Sequence, residues 1–134
     1  MATLDSIERN DFTLTPQNND QASLAPKLTK DQGLIFWSKP AREIHNMVRG
    51  LLPWPGAYCH YSGKRLKILK TQVVKLAPGE LKSGQVADIS KGGFIVMTGE
   101  EGLLILQVHL ESSKEMDAQS FIAGHKLEFG FQFE

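Results

Sequence analysis

Residues 34–58 read LIFWSKPAREIHNMVRGLLPWPGAY, and the order of signals in this stretch decides how the rest of the chain is arranged. Ser38 stands where a helix needs its cap, because a side-chain oxygen there accepts from the orphan N–H groups of the first turn. Pro40 follows inside that turn, where a missing N–H costs little. Ala41, Ile44, Val48 and Leu51 recur at helical spacing and make one apolar stripe. Arg42, Asn46 and Arg49 fall at i, i+4 and i+7 and share the other side. Gly50 and then Pro53 stop the helix, since neither continues one easily. Pro53-Trp54-Pro55-Gly56 is stiff and then turns, aiming the chain into a strand-like run that begins at Ala57. The predicted helix therefore shows apolar residues to a core and basic ones to a partner.

Upstream, residues 3–9 (TLDSIER) predict one or two helical turns with Leu4 and Ile7 on one side, a segment too short to be stable alone. Residues 10–24 are rich in Asn, Asp, Gln, Ser and Thr and contain Pro16, the composition of a linker. Residues 25–32 carry Lys27 and Lys30 toward Gly33 and are expected to be extended or turn-like on the surface.

Downstream the periodicity changes to strands. Residues 57–61 lead through Ser62-Gly63, a hairpin signal, into residues 64–74, where Leu66, Ile68 and Lys70 alternate with Arg65, Lys67 and Leu69. Pro78-Gly79 marks a turn, residues 84–89 a strand, and Lys91-Gly92-Gly93 a break. Residues 94–98 and 103–110 are two further strands joined by Gly99-Glu100-Glu101-Gly102. Asp117 caps a short helix over residues 118–123 with Phe121 and Ile122 inward, and Gly124 ends it. Residues 126–133 place Leu127, Phe129, Phe131 and Phe133 on one side of a closing strand. Short strands separated by glycine turns predict a mainly β, α+β domain. Its form would be a small OB-like, partly open Greek-key barrel with one amphipathic helix packed outside.

The 134 residues suffice for one domain with a real core. Residues 1–33 are expected to be the remnant of an interdomain helix and its linker, and 34–134 the domain proper. No apolar run approaches the ~20 residues that span a bilayer, and MATLDSIERN is no signal peptide. The single cysteine, Cys59, excludes an internal disulfide and fits a reducing, cytoplasmic setting. A net charge of zero hides a division along the chain. Residues 61–91 hold seven bases against two acids, and residues 92–134 two bases against seven acids. Lysines on such strands also protect sheet edges, so charge alone leaves a binding face and a solvated edge both open.

The chain lacks a P-loop, a G-x-G-x-x-G, a G-x-S-x-G and any Cys/His cluster at metal spacing. Cys59 and His60 are adjacent, so in a strand they point to opposite faces and cannot act as nucleophile and base. His45, His60, His109 and His125 are scattered singly. No catalytic residue and no metal site are expected. Trp54 is either a stacking platform for a nucleotide or a plug for the barrel end, and packing is the commoner use of large aromatics. Trp37, Pro53, Trp54 and Pro55 are thus expected as structural anchors. Lys27, Lys30, Arg42, Arg49, Lys64, Arg65 and Lys67 form the one candidate binding strip, suited to phosphates rather than to base edges.

Taken in order, Ala25-Pro26-Lys27-Leu28, Gly33 with Trp37-Ser38, Arg49, Pro53 to Ala57, Leu66-Lys67-Ile68, Pro78-Gly79, Leu106-Gln107 and Phe121-Ile122-Ala123-Gly124 resemble the C-terminal domain of methionyl-tRNA formyltransferase. Phe36 and residues 108–113 depart from that pattern, the latter by replacing a basic turn. The resemblance implies an enzyme family that moves a formyl group from 10-formyltetrahydrofolate to the methionine on initiator tRNA. It also implies that folate and catalysis belong to an N-terminal domain absent from this sequence. Initiator tRNA and that catalytic domain are then the expected partners, with no membrane, no metal and no cofactor in this domain. An alternative is an accessory domain that only packs in a related formyltransferase or formyltetrahydrofolate hydrolase.

Overall fold

Apolar and β-branched residues at alternating positions put five of the segments read above into an antiparallel sheet. The computed structural model describes residues 2–76, 80–90 and 92–134. Its strands are β1 (Ala57–Tyr61), β2 (Lys64–Val74), β3 (Val86–Ser90), β4 (Gly93–Met97), β5 (Gly102–Leu110) and β6 (Glu115–Asp117). Helix α1 (Ala2–Glu8) opens the chain, α2 (Ala41–Gly50) precedes the sheet and α3 (Ala118–His125) follows it. The predicted turn at Pro78-Gly79 and the first residue of the predicted break, Lys91, lie outside the described residues.

The strand order is β1-β2-β5-β4-β3, with β6 also on β5. Strands β3, β4 and β5 follow one another as hairpins and β2 returns beside β5, which is a Greek key. Strand β6 pairs with Gln107 to His109 on the side that β4 leaves after Ile105. The domain is mainly β with helices, as expected, but the sheet is not closed into a barrel. Edges β1 and β3 share no ladder, and the predicted closing strand at 126–133 does not form. Instead the tail lays separate hydrogen bonds on both edges. Val86 N–H donates to Phe131 O at 2.9 Å, Phe133 N–H to Gly84 O at 2.9 Å, and His60 N–H to Glu134 O at 2.7 Å. Lys126 in the left-handed region ends α3, two residues beyond Gly124, and Gly130 turns the tail again. That turn leaves Phe129 66% exposed, whereas Leu127 and Phe133 are buried.

Helix α2 buries three of its four predicted stripe residues: Ala41, Ile44 and Val48 join the same core as Leu66, Ile68, Phe94 and Phe121, whereas Leu51 is the C-cap beyond the helix and only half-buried. Each fully buried aliphatic side chain contributes roughly 1.5–3 kcal/mol. The start of the helix is held differently from the expectation. Pro40, not Ser38, is the N-cap, and no side chain caps the turn. Ala41 N–H donates instead to Glu100 O at 3.0 Å, and Gly99 N–H to Lys39 O at 3.0 Å. At Gly99 any Cβ would collide with the Ser38 carbonyl, so the turn between β4 and β5 approaches the helix as closely as backbone can. Asp117 does cap α3, accepting from Ser120 N–H at 2.7 Å.

Residues 10–29 are exposed throughout, relieved only by a 3-10 turn at Asn19–Gln21. Leu4 and Ile7 of α1 are exposed too.

Ile44→Ala should lower stability by about 3 kcal/mol while Phe129→Ala stays within about 0.5 kcal/mol, read from urea midpoints. Hydrogen bonds from the backbone and hydroxyl of Ser120 hold Asp117 below its ordinary value of 3.8, so its contribution is present above that pH and lost on acidification. Asp117→Asn keeps the cap but not the titration, and should lose less stability than the parent between about pH 5.5 and pH 3.

Candidate functional site

One stripe of α2 faces away from the core. Arg42, His45, Asn46 and Arg49 lie at i, i+3, i+4 and i+7, and together they form one wall of a cleft of about 410 Å³. Lys70, Thr71, Gln72 and Val73 of β2 form the other wall, with Leu106 of β5 at the floor. Beside the cleft the ladder is irregular: the register of β2 against β5 shifts between Ile68 and Lys70 and again between Lys70 and Thr71. An extra residue on one strand re-aims the side chains that follow. Thr71 is thereby buried, and Lys70, which strict alternation would turn inward, is exposed at the rim.

Electrostatically the cleft is one-sided. It is lined by three cations and no carboxylate. Among the described residues the sole ion pair is Lys39–Glu43 at 3.3 Å, so Arg42, Arg49 and Lys70 have no acidic partner there. His45 Nδ1 lies 2.8 Å from Thr71 Oγ1. Burial, then the charges of Arg49 and Arg42, hold the His45 imidazole below its ordinary value of 6.5.

The other basic residues expected in the strip sit elsewhere. Lys64 opens β2 beyond the Ser62-Gly63 turn, where both residues have positive φ, the geometry of a tight hairpin. The Arg65 guanidinium lies 4.5 Å over the Tyr58 ring. Lys67 is opposite His109 on β5, and Arg65, Lys67, His109, Glu111 and Ser112 line a second recess of about 220 Å³. Glu111 makes that recess mixed in charge, and it also accepts from Arg65 N–H at 3.3 Å. Lys27 is in the exposed stretch, and Lys30 begins a 3-10 helix, Lys30–Gly33. The structure thus gathers Arg42 with Arg49 and Arg65 with Lys67, while Lys27, Lys30 and Lys64 stand apart from both clefts. His45 and Lys70 are the residues that the sequence reading left out. The helical spacing 42-45-46-49 was a signal for the first, whereas the bulge that exposes Lys70 has none.

Of the expected anchors, Trp37 is buried against Phe133, with ring centroids 6.0 Å apart, and Pro55 is buried. Pro53 is exposed and Trp54 is 53% exposed, so Trp54 plugs nothing. Both proline bonds, Leu52–Pro53 and Trp54–Pro55, are cis. Cys59 is fully buried, and burial pushes its thiol far up, which leaves no nucleophile there. No group of three potential metal ligands and no helix long and apolar enough to cross a membrane occur among the described residues.

The family described as formyl transferase, C-terminal domain, matches residues 27–126. Methionyl-tRNA formyltransferase of Acetivibrio thermocellus is 38% identical over 93% of this chain and 40% of its own length. That of Caldanaerobacter subterraneus is 39% identical over 96% of the chain and 41% of its own length. The chain thus spans about 40% of the length of the curated relatives it matches. Among solved structures, HypX from Aquifex aeolicus in complex with tetrahydrofolic acid shares the fold, with a TM-score of 0.62 and 18% identity over 96% of this chain and 25% of that one.

The field of the cleft is directly measurable. Proton NMR titration of the histidines should place His45 below its ordinary value, and both Arg49→Gln and Arg42→Gln should raise it, the first by more.

Proposed function

The chain belongs to the formyl transferase C-terminal domain family, and we propose that it is the tRNA-holding part of a methionyl-tRNA formyltransferase. In this reading the basic surface of α2 and β2 holds the body of initiator tRNA during translation initiation in the cytoplasm. Formyl transfer from 10-formyltetrahydrofolate is then the work of a separate catalytic domain, and this domain does no chemistry of its own. The observation that carries the reading is the set of three cations around the α2–β2 cleft with no carboxylate to neutralise them. An RNA helix offers mainly phosphates and 2′-hydroxyls on its surface, which such a set meets without reading bases. The same cleft has no aromatic wall on which a pteridine ring would lie, which supports placing the folate elsewhere. Arg65 and Lys67 offer two further cations in the separate recess they share with Glu111, and the exposed Trp54 adds a ring on which an unpaired base can stack.

A second reading is an accessory domain that only packs against a catalytic one in a related formyltransferase or formyltetrahydrofolate hydrolase. It is favoured by the exposed apolar side chains of Leu4, Ile7, Leu14 and Leu24, which in isolation have nothing to cover them. Salt dependence separates the two, because packing of apolar side chains does not weaken as salt rises. Arg49→Glu with Lys67→Glu should weaken binding of an initiator tRNA transcript at least about tenfold at low salt and flatten the slope of log affinity against log salt by about 2. Unchanged affinity and slope in filter binding would overturn the tRNA reading.

A further inference from the structure

We propose that the α2–β2 cleft is a discrete oxyanion site whose fourth ligand is His45, which takes up a proton when a phosphate group enters. For its biological ligand the inference rests on the tRNA reading above; for its chemistry it rests on the cleft alone. Arg42, His45 and Arg49 share one stripe of α2, and Lys70 faces them from β2. The remaining polar lining, Asn46, Thr71 and Gln72, is uncharged, and β5 contributes only Leu106. The acidic residue of α2, Glu43, is engaged by Lys39 at 3.3 Å. No carboxylate therefore competes with an incoming anion.

Thr71 makes the proton uptake structurally cheap. Its hydroxyl donates to a neutral imidazole Nδ1 or, after rotation, accepts from a protonated one, so the 2.8 Å contact survives either state. Before the anion arrives, burial and the two arginines keep the ring neutral near pH 7. An anion among the cations offsets part of their charge and adds an attractive partner for the ring, which favours imidazolium. Proton affinity is then higher in the bound state than in the free one. Anion affinity accordingly rises as pH falls through the window between those two states, and levels off once the free state is protonated as well.

Sulfate is a suitable probe because its charge is constant across this range. Histidine NMR titrations of the full chain in sulfate, against chloride at equal ionic strength, should show the His45 midpoint rising in sulfate beyond any rise in chloride. The resonance is identified by its loss in His45→Gln, and Lys70→Gln should abolish most of the sulfate-specific rise. A midpoint that responds equally to both salts overturns the oxyanion site. Initiator tRNA transcript serves as the second arm. The parent should bind about fivefold more tightly at about pH 5.5 than at about pH 7.5, and His45→Gln should gain nothing. Binding with the same pH dependence in both proteins sinks the proton coupling while leaving tRNA holding intact. A sulfate response without tRNA binding keeps the site, assigns it to a free anion and removes the tRNA reading.

Discussion

The structure depends on a backbone clamp at both ends of residues 33–41. At the first end, Ile35 N–H donates to Tyr58 O at 2.8 Å, and a Cβ at Gly33 would run into the Gly56 carbonyl. At the other end, Gly99 and Glu100 meet Lys39 and Ala41 through the hydrogen bonds that replace a side-chain cap. Two ends of the sheet thereby fix one short segment, and α2 leaves it at a set angle. With Ala41, Ile44 and Val48 buried, the helix cannot rotate without exposing its stripe, so the stripe carrying Arg42, His45 and Arg49 is fixed as well. The cleft is a consequence of the clamp.

Much of this was legible in the residues. The stripe at 41, 44 and 48, the stop at Gly50, the Ser62-Gly63 turn and the Asp117 cap each depend on side chains close together in sequence. The misreadings involve partners far along the chain. Ser38 has a capping side chain, yet the Glu100 carbonyl, far along the chain, accepts from the first turn at Ala41 instead. Residues 126–133 alternate like a strand, but a left-handed Lys126 and a turn at Gly130 break the run, and tertiary hydrogen bonds replace the ladder. Trp54 has the size of an anchor, yet about half of it is exposed, because whether a loop residue meets the core depends on tertiary packing that local composition does not encode.

For the candidate site the limits were similar. A helical wheel finds Arg42 and Arg49, and it finds His45 on the same stripe. The second wall belongs to a bulge, where one residue breaks the alternation of β2 and exchanges the roles of Lys70 and Thr71. The even spread of Lys64, Arg65 and Lys67 suggested one continuous strip, whereas the sheet separates them into a turn position and a recess shared with Glu111.

A neutral chain with fifteen bases and fifteen acids has enough carboxylates to pair every cation it carries. Around α2 it does not do so. Gathering Arg42, Arg49 and Lys70 costs self-repulsion, and the charges of Arg49 and Arg42 add to burial in lowering the proton affinity of His45. Relieving it would take a single acidic side chain at an exposed position such as Asn46 or Gln72. Local departures from the most stable arrangement concentrate where a protein meets a partner. Charge repulsion held in place by a well-packed helix is therefore better explained by an anion that completes the cleft than by the folding of the domain itself.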